Sequence, residues 1–286
     1  MKGTARAALT FVLTFCCAAA APAVAQDHLR PSPFLDVSDD SYKKPADSRF
    51  LSIYDRLRQR HVLEELRDFL TPLRLPRELK VVTEQCDAQT RPYMSGGPVT
   101  ICYELVERIG QFAREISPND TEAQNRATTG AFIQATLHET AHAIFDILEI
   151  PIWGRAPDAA DRLAALIMVE FGEDVARIGI NATIELFKWS ANAGKPWTGS
   201  DFASTASPDA QRYFNYLCIA AAADPLPLDQ GGSIDKKLLP SDRARDCDDE
   251  YQQIRKAFNL RIMPYVDAEA LTKVKATPWL TWTPAK

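Results

Sequence analysis

The stretch 131–148 constrains the fold more than any other part of the chain. Ala131, Phe132, Ile133, Ala135, Leu137, Ala143, Ile144, Ile147 and Leu148 give it the character of a helix buried among other elements. In its middle stands His138-Glu139-Thr-Ala-His142. Residues four apart lie on one helix face, one turn from each other. Two imidazoles so placed can grip one tetrahedral metal ion. Glu139 sits beside the first histidine, within reach of a metal-bound water. A zinc ion lowers the pKa of that water toward ~7, and a carboxylate can take its proton as it attacks a carbonyl. The plainer reading is two core histidines with satisfied hydrogen bonds. A glutamate between them would then be costly to bury without a metal.

A third ligand is needed. The glycine and histidine of the metzincin extension are absent, with Phe145 and Leu148 in their places. The chain has four histidines, and the other two are His28, in a polar lead, and His61, read as a surface or packing residue. A carboxylate is therefore expected. Pro157 fits a first helical position, and Asp158-Ala-Ala-Asp161 follows, with both acids on one face. Ala159, Ala160, Ala164 and Ala165 would let that helix approach the histidine helix closely. One aspartate could bind the metal while the other orients a histidine. Both could instead be acids favoured at a helix N-terminus. Glu170-x-x-x-Asp174 is the reserve. An oxyanion stabiliser is sought at Tyr213 or Tyr216, which could equally be packing aromatics. Asp146, one turn beyond His142, could hold another part of the site or simply be solvated. The stretch 89–94 is the expected edge along which a substrate peptide adds.

Around this centre, the apolar spacing of Phe50, Leu51, Tyr54, Leu57, Leu63, Leu66 and Leu70 predicts one helix over 47–73. Two short β-branched runs, 79–83 and 99–103, predict a small sheet with a turn at Gly96-Gly97-Pro98. Helices are expected over 103–116, 121–149, 158–176, 178–193, 208–223 and 247–263, with a loop over 224–246. The tail carries Trp279 and Trp282, whose packing the sequence does not give.

Lys2 and Arg6, an apolar run over 7–21 and Ala23-Val24-Ala25 read as a cleavable export signal, so the mature chain would start at Gln26. Residues 26–46, with Pro31, Pro33 and Pro45, read as a flexible lead, and 47–286 as one domain. Losing Lys2 and Arg6 takes the formal charge from -5 to -7. With no basic stretch, nucleic acid is not an expected partner, and after signal removal no segment is apolar enough for stable membrane insertion. Cys86, Cys102, Cys218 and Cys247 remain, an even number in an exported chain, which implies disulfides. Three connectivities are possible. The pairs Cys86–Cys102 and Cys218–Cys247 are the expected ones, because each brackets a plausible loop. No Cys-x-x-Cys spacing supports a thiol metal site.

The segment Leu137-His-Glu-Thr-Ala-His-Ala-Ile-Phe-Asp146, then Ile150-Pro151, Gly154-Arg155 and Asp158-Ala-Ala-Asp161, resembles a bacterial family of unknown function described as metallopeptidases. Cys86, Cys102-Tyr-Glu-Leu105 and Cys218 extend the resemblance over roughly 47–263. It implies a zincin-type catalytic domain and peptide hydrolysis. One departure matters. Gluzincins use Glu-x-x-x-Asp for the third ligand and its supporting acid, which projects a glutamate onto position 157, where this chain has Pro157.

The expectation is a mostly helical α+β, zincin-like domain stapled by two disulfides, secreted or periplasmic. It would be a zinc peptidase acting on peptides or proteins. His138, His142 and Asp158 or Asp161 would hold the metal, with Glu139 as general base. The rivals are an inactive binding protein of the cell envelope and a zinc hydrolase of a non-peptide amide.

Overall fold

A computed structural model describes residues 34–87, 92–192, 198–223 and 238–279. The export signal, His28 and Trp282 lie outside the described residues. The architecture is the expected mostly helical α+β one, with a small sheet near the N-terminal side and both expected disulfides.

The sheet has three strands, β1 (Leu35–Asp36), β2 (Leu79–Glu84) and β3 (Val99–Cys102), in the order β1-β2-β3. All pairs are parallel, with Val81 opposite Val99 and Glu84 opposite Cys102. A parallel sheet is usually covered on both faces. Accordingly Val81, Val82, Thr83, Val99, Thr100 and Ile101 are all buried. The Cys86–Cys102 bridge, Cα atoms 5.4 Å apart, closes the crossover just beyond the last pair. β1 falls inside the stretch read as a lead. Phe34, Leu35 and Tyr42 are buried there, and the Tyr42 hydroxyl accepts from the Leu63 amide.

The helix expected over 47–73 is two, α1 (Leu51–Gln59) and α2 (Val62–Phe69). The physical reason lies in the apolar stripe. At 100° per residue, Phe50, Ile53, Tyr54 and Leu57 cluster about half a turn away from Val62, Leu63, Leu66 and Phe69. One straight helix cannot bury both sets. The chain breaks at His61, left-handed at φ 51°, and re-aims the second set at the core.

β3 runs directly into α3 (Tyr103–Ile116), and α4 (Thr121–Ile147) follows, capped by Asp120, whose side chain accepts from the Ala123 amide. Next come α5 (Ala156–Phe171) and α6 (Glu173–Ala191), parted at Gly172 and so a few residues earlier than the spacing predicts. α7 (Gly199–Ala203), α8 (Asp209–Ala222), α9 (Ser241–Arg261) and α10 (Ala268–Ala276) complete the order. α9 starts six residues before the expected 247, and Cys247 within it bonds Cys218 of α8. Trp279 packs edge-on to Phe69, ring centroids 5.5 Å apart.

α4 is the central helix and packs against α3, α5 and α6. Gly130 sets how closely α6 can approach: a Cβ there would lie 2.3 Å from the Ile178 carbonyl oxygen. On α5, Ala160, Ala164 and Ala165 are fully buried, as expected of small residues at a close helix crossing.

Candidate metal centre

His138 and His142 stand on successive turns of α4, with ring centroids 5.0 Å apart and the rings nearly perpendicular. Both histidines and Glu139 are partly buried. Burial pushes His142 down to about 4, helped by its neighbour His138, so near neutral pH its ring is uncharged and keeps a lone pair free. Burial also pushes Glu139 up, against the pull of His138 and Arg212.

α5 brings Asp161 to the first histidine. Asp161 Oδ1 lies 2.7 Å from His138 Nδ1. An ionised carboxylate can only accept, so Nδ1 carries the proton and Nε2 keeps the free lone pair. The same carboxylate receives a forked pair from Arg212 of α8, Nε to Oδ2 at 2.7 Å and Nη2 to Oδ1 at 2.9 Å. Gln134, one turn before His138, adds a third donor to Oδ1 at 3.1 Å. Asp161 is 5% exposed. Burial alone would raise its pKa, but the bonds from His138 and Arg212 outweigh that and hold it below the usual carboxylate value.

The other sequence candidates lie around this set. Asp158 accepts from the Ser207 amide at 3.0 Å and from the Ser207 hydroxyl. Tyr216 is fully buried behind Asp161, its hydroxyl donating to the Asp161 carbonyl oxygen at 3.1 Å. Tyr213 lines a different cleft with Arg126 and Ala127, about three turns before His138 on α4. Glu170 pairs with Arg255 of α9 at 3.5 Å, and nine residues of helix place it on the side of α5 opposite Asp161. His61 is exposed, 3.6 Å from Glu64. Among the described residues, Cys86, Cys102 and Glu104 are the only three metal-binding types whose ligand atoms all lie close together, and those cysteines form a disulfide.

Asp146 continues the histidine face by one turn. It accepts from Tyr93 at 2.9 Å, Ser95 at 2.8 Å and Arg77 at 3.2 Å, which ties the crossover loop to the end of α4. Part of the expected substrate edge, 89–91, lies outside the described residues. Within the rest, the Thr100 amide donates to the Pro92 carbonyl at 2.7 Å, so this segment runs beside β3.

Arg212 and Gln134 were not singled out from the sequence. Arg212 had a readable signal: an arginine on a helix whose neighbouring residues are Tyr213, Phe214 and Tyr216. A buried arginine there needs an acid opposite it.

A family model described as "Putative metallopeptidase" matches residues 42–261. No curated protein and no solved structure matches the chain.

Proposed function

This chain belongs to that metallopeptidase family, and from there we propose that it is an exported, zinc-dependent peptidase that hydrolyses peptide bonds. The observation that carries the proposal is the hydrogen bond from His138 to a buried, charge-held Asp161. It fixes one tautomer and turns a core histidine into an oriented donor. The donor set suits zinc, which accepts two imidazoles and a carboxylate. Bound there, zinc would supply an activated water and polarise the scissile carbonyl.

The rest is the work of this chain's side chains. His138 and His142 would hold the metal. Asp161 orients His138, and Arg212, Gln134 and Tyr216 hold Asp161 in turn. Asp158, on the same face of α5 and now bonded to Ser207, would be the third residue to hold it. Glu139 takes the proton of the attacking water and delivers it to the leaving amine, and its raised pKa suits it to both steps. The two disulfides suit an oxidising compartment, in keeping with export. No described helix is long and apolar enough to cross a membrane.

The test is digestion of a broad peptide library by the zinc-loaded mature protein and its Glu139→Gln variant. The variant should keep its zinc and lose activity by roughly a hundredfold or more. Undiminished cleavage by the variant rejects the mechanism. One observation favours a second reading, an inactive binding protein of the envelope: Pro157 stands where a ligand would project, and both nearby aspartates are already engaged. Bound zinc with no cleavage of any peptide selects that reading.

A further inference from the structure

Beside the histidine face, the end of α4, the 150–153 segment, α5 and α9 enclose a groove with room for about 300 Å³. Its walls are apolar, with Phe145, Leu166 and Phe258 among them, and Trp153 stands at 94% exposure on its lining. Two arginines, Arg162 and Arg261, also line it. Neither forms an ion pair or side-chain hydrogen bond with any described residue, in a chain whose acids outnumber its Lys and Arg by 38 to 33. The other side chains that line the groove are apolar, so none of them offers the two cations a counter-charge.

The groove adjoins the proposed centre through the helices themselves. Phe145 is three residues beyond His142 on α4. Arg162 follows Asp161 and is four residues beyond Asp158 on α5. Phe145 and Arg162 thus bring the groove's lining to within about one helical turn of His142 and of Asp158.

We infer that this groove binds the apolar C-terminal segment of a peptide, with the free carboxylate held by Arg162 and Arg261. The assignment rests on the peptidase reading and names its substrate class. The apolar walls take Leu- or Phe-like side chains, and the guanidinium groups supply charge-assisted hydrogen bonds to the carboxylate. Trp153 covers the side chain nearest the rim. The volume accommodates a short peptide end and falls at the lower limit of ordinary ligand pockets.

Binding is measured by fluorescence anisotropy on the zinc-loaded Glu139→Gln protein, which keeps the probe uncut. The probe is an N-terminally labelled Leu- and Phe-rich pentapeptide with a free C-terminal carboxylate, compared with its C-terminal amide. The acid should bind about tenfold more tightly than the amide. An Arg162→Gln, Arg261→Gln double variant should abolish that preference, and Arg162→Lys with Arg261→Lys should restore part of it. Trp153→Ala should weaken both probes alike. Equal binding of acid and amide, a preference untouched by the double variant, no binding of either, or binding of anionic phospholipid vesicles in place of the peptide each overturns the inference. The two readings fail separately. Preference without any hydrolysis by the wild type removes the peptidase and leaves the groove. Hydrolysis without preference does the reverse.

Discussion

Asp161 on α5 holds His138 on α4 through a 2.7 Å contact between Oδ1 and Nδ1, and the guanidinium of Arg212 holds Asp161 from the other side. The chain thus carries an imidazole–carboxylate–guanidinium relay across three helices. The relay fixes how the His138 ring points.

The first prediction follows from that contact. Asp161→Asn keeps the shape of the side chain and removes its charge. The amide can accept from His138 only weakly, so zinc affinity should fall by about 10- to 100-fold. Competition against a chromophoric chelator measures it. Unchanged affinity would mean that Asp161 does not orient the ring.

Arg212→Met tests the other half of the relay. Arg212 and Asp161 side chains are 16% and 7% exposed, and removing the arginine leaves a buried carboxylate without its main cation. Urea unfolding of the metal-free protein should show a loss of about 3–5 kcal/mol. Replacing Asp161 and Arg212 together by Leu and Met should cost much less.

Alkaline pH should destabilise the protein. Burial raises the pKa of Tyr93 and Tyr103 to about 12 each, and raises those of Tyr42 and Tyr216. In the unfolded chain a tyrosine titrates near ~10. A group with a raised folded pKa binds its proton more tightly when folded. Its contribution is complete below the unfolded pKa and is lost as pH rises through the folded one. The urea midpoint should therefore fall between about pH 10 and 12, and Tyr93→Phe should flatten part of that fall.

The disulfides are independent staples. Cys86–Cys102 spans 16 residues and Cys218–Cys247 spans 29. Replacing either pair by serines should cost about 3 kcal/mol by chain entropy. A loss near zero for the first pair would mean that the parallel register alone holds the crossover.

What the sequence made legible was what depends on short spacing. Four-residue spacing placed His138 and His142 on one face, and β-branched runs marked β2 and β3. Asp161 could be picked out as a candidate to bind a metal or to orient a histidine, but not which of the two. Whether it faces a metal or a ring nitrogen is set by how α5 crosses α4. The helical pattern over 47–73 read as continuous because period counts mark apolar positions and not the phase between two halves. The half-turn jump at His61 is visible only when the angles are summed. Arg212, 51 residues from Asp161, and Tyr93, 53 residues from Asp146, meet their partners through tertiary packing that local pattern does not encode.

The most direct measurement is the zinc content of the purified mature chain by inductively coupled plasma mass spectrometry, alongside His142→Ala and Glu139→Gln. The account predicts one zinc per chain in the wild type and in Glu139→Gln, and almost none in His142→Ala. A wild-type protein that takes up no zinc, or a His142→Ala protein that keeps it, contradicts the account.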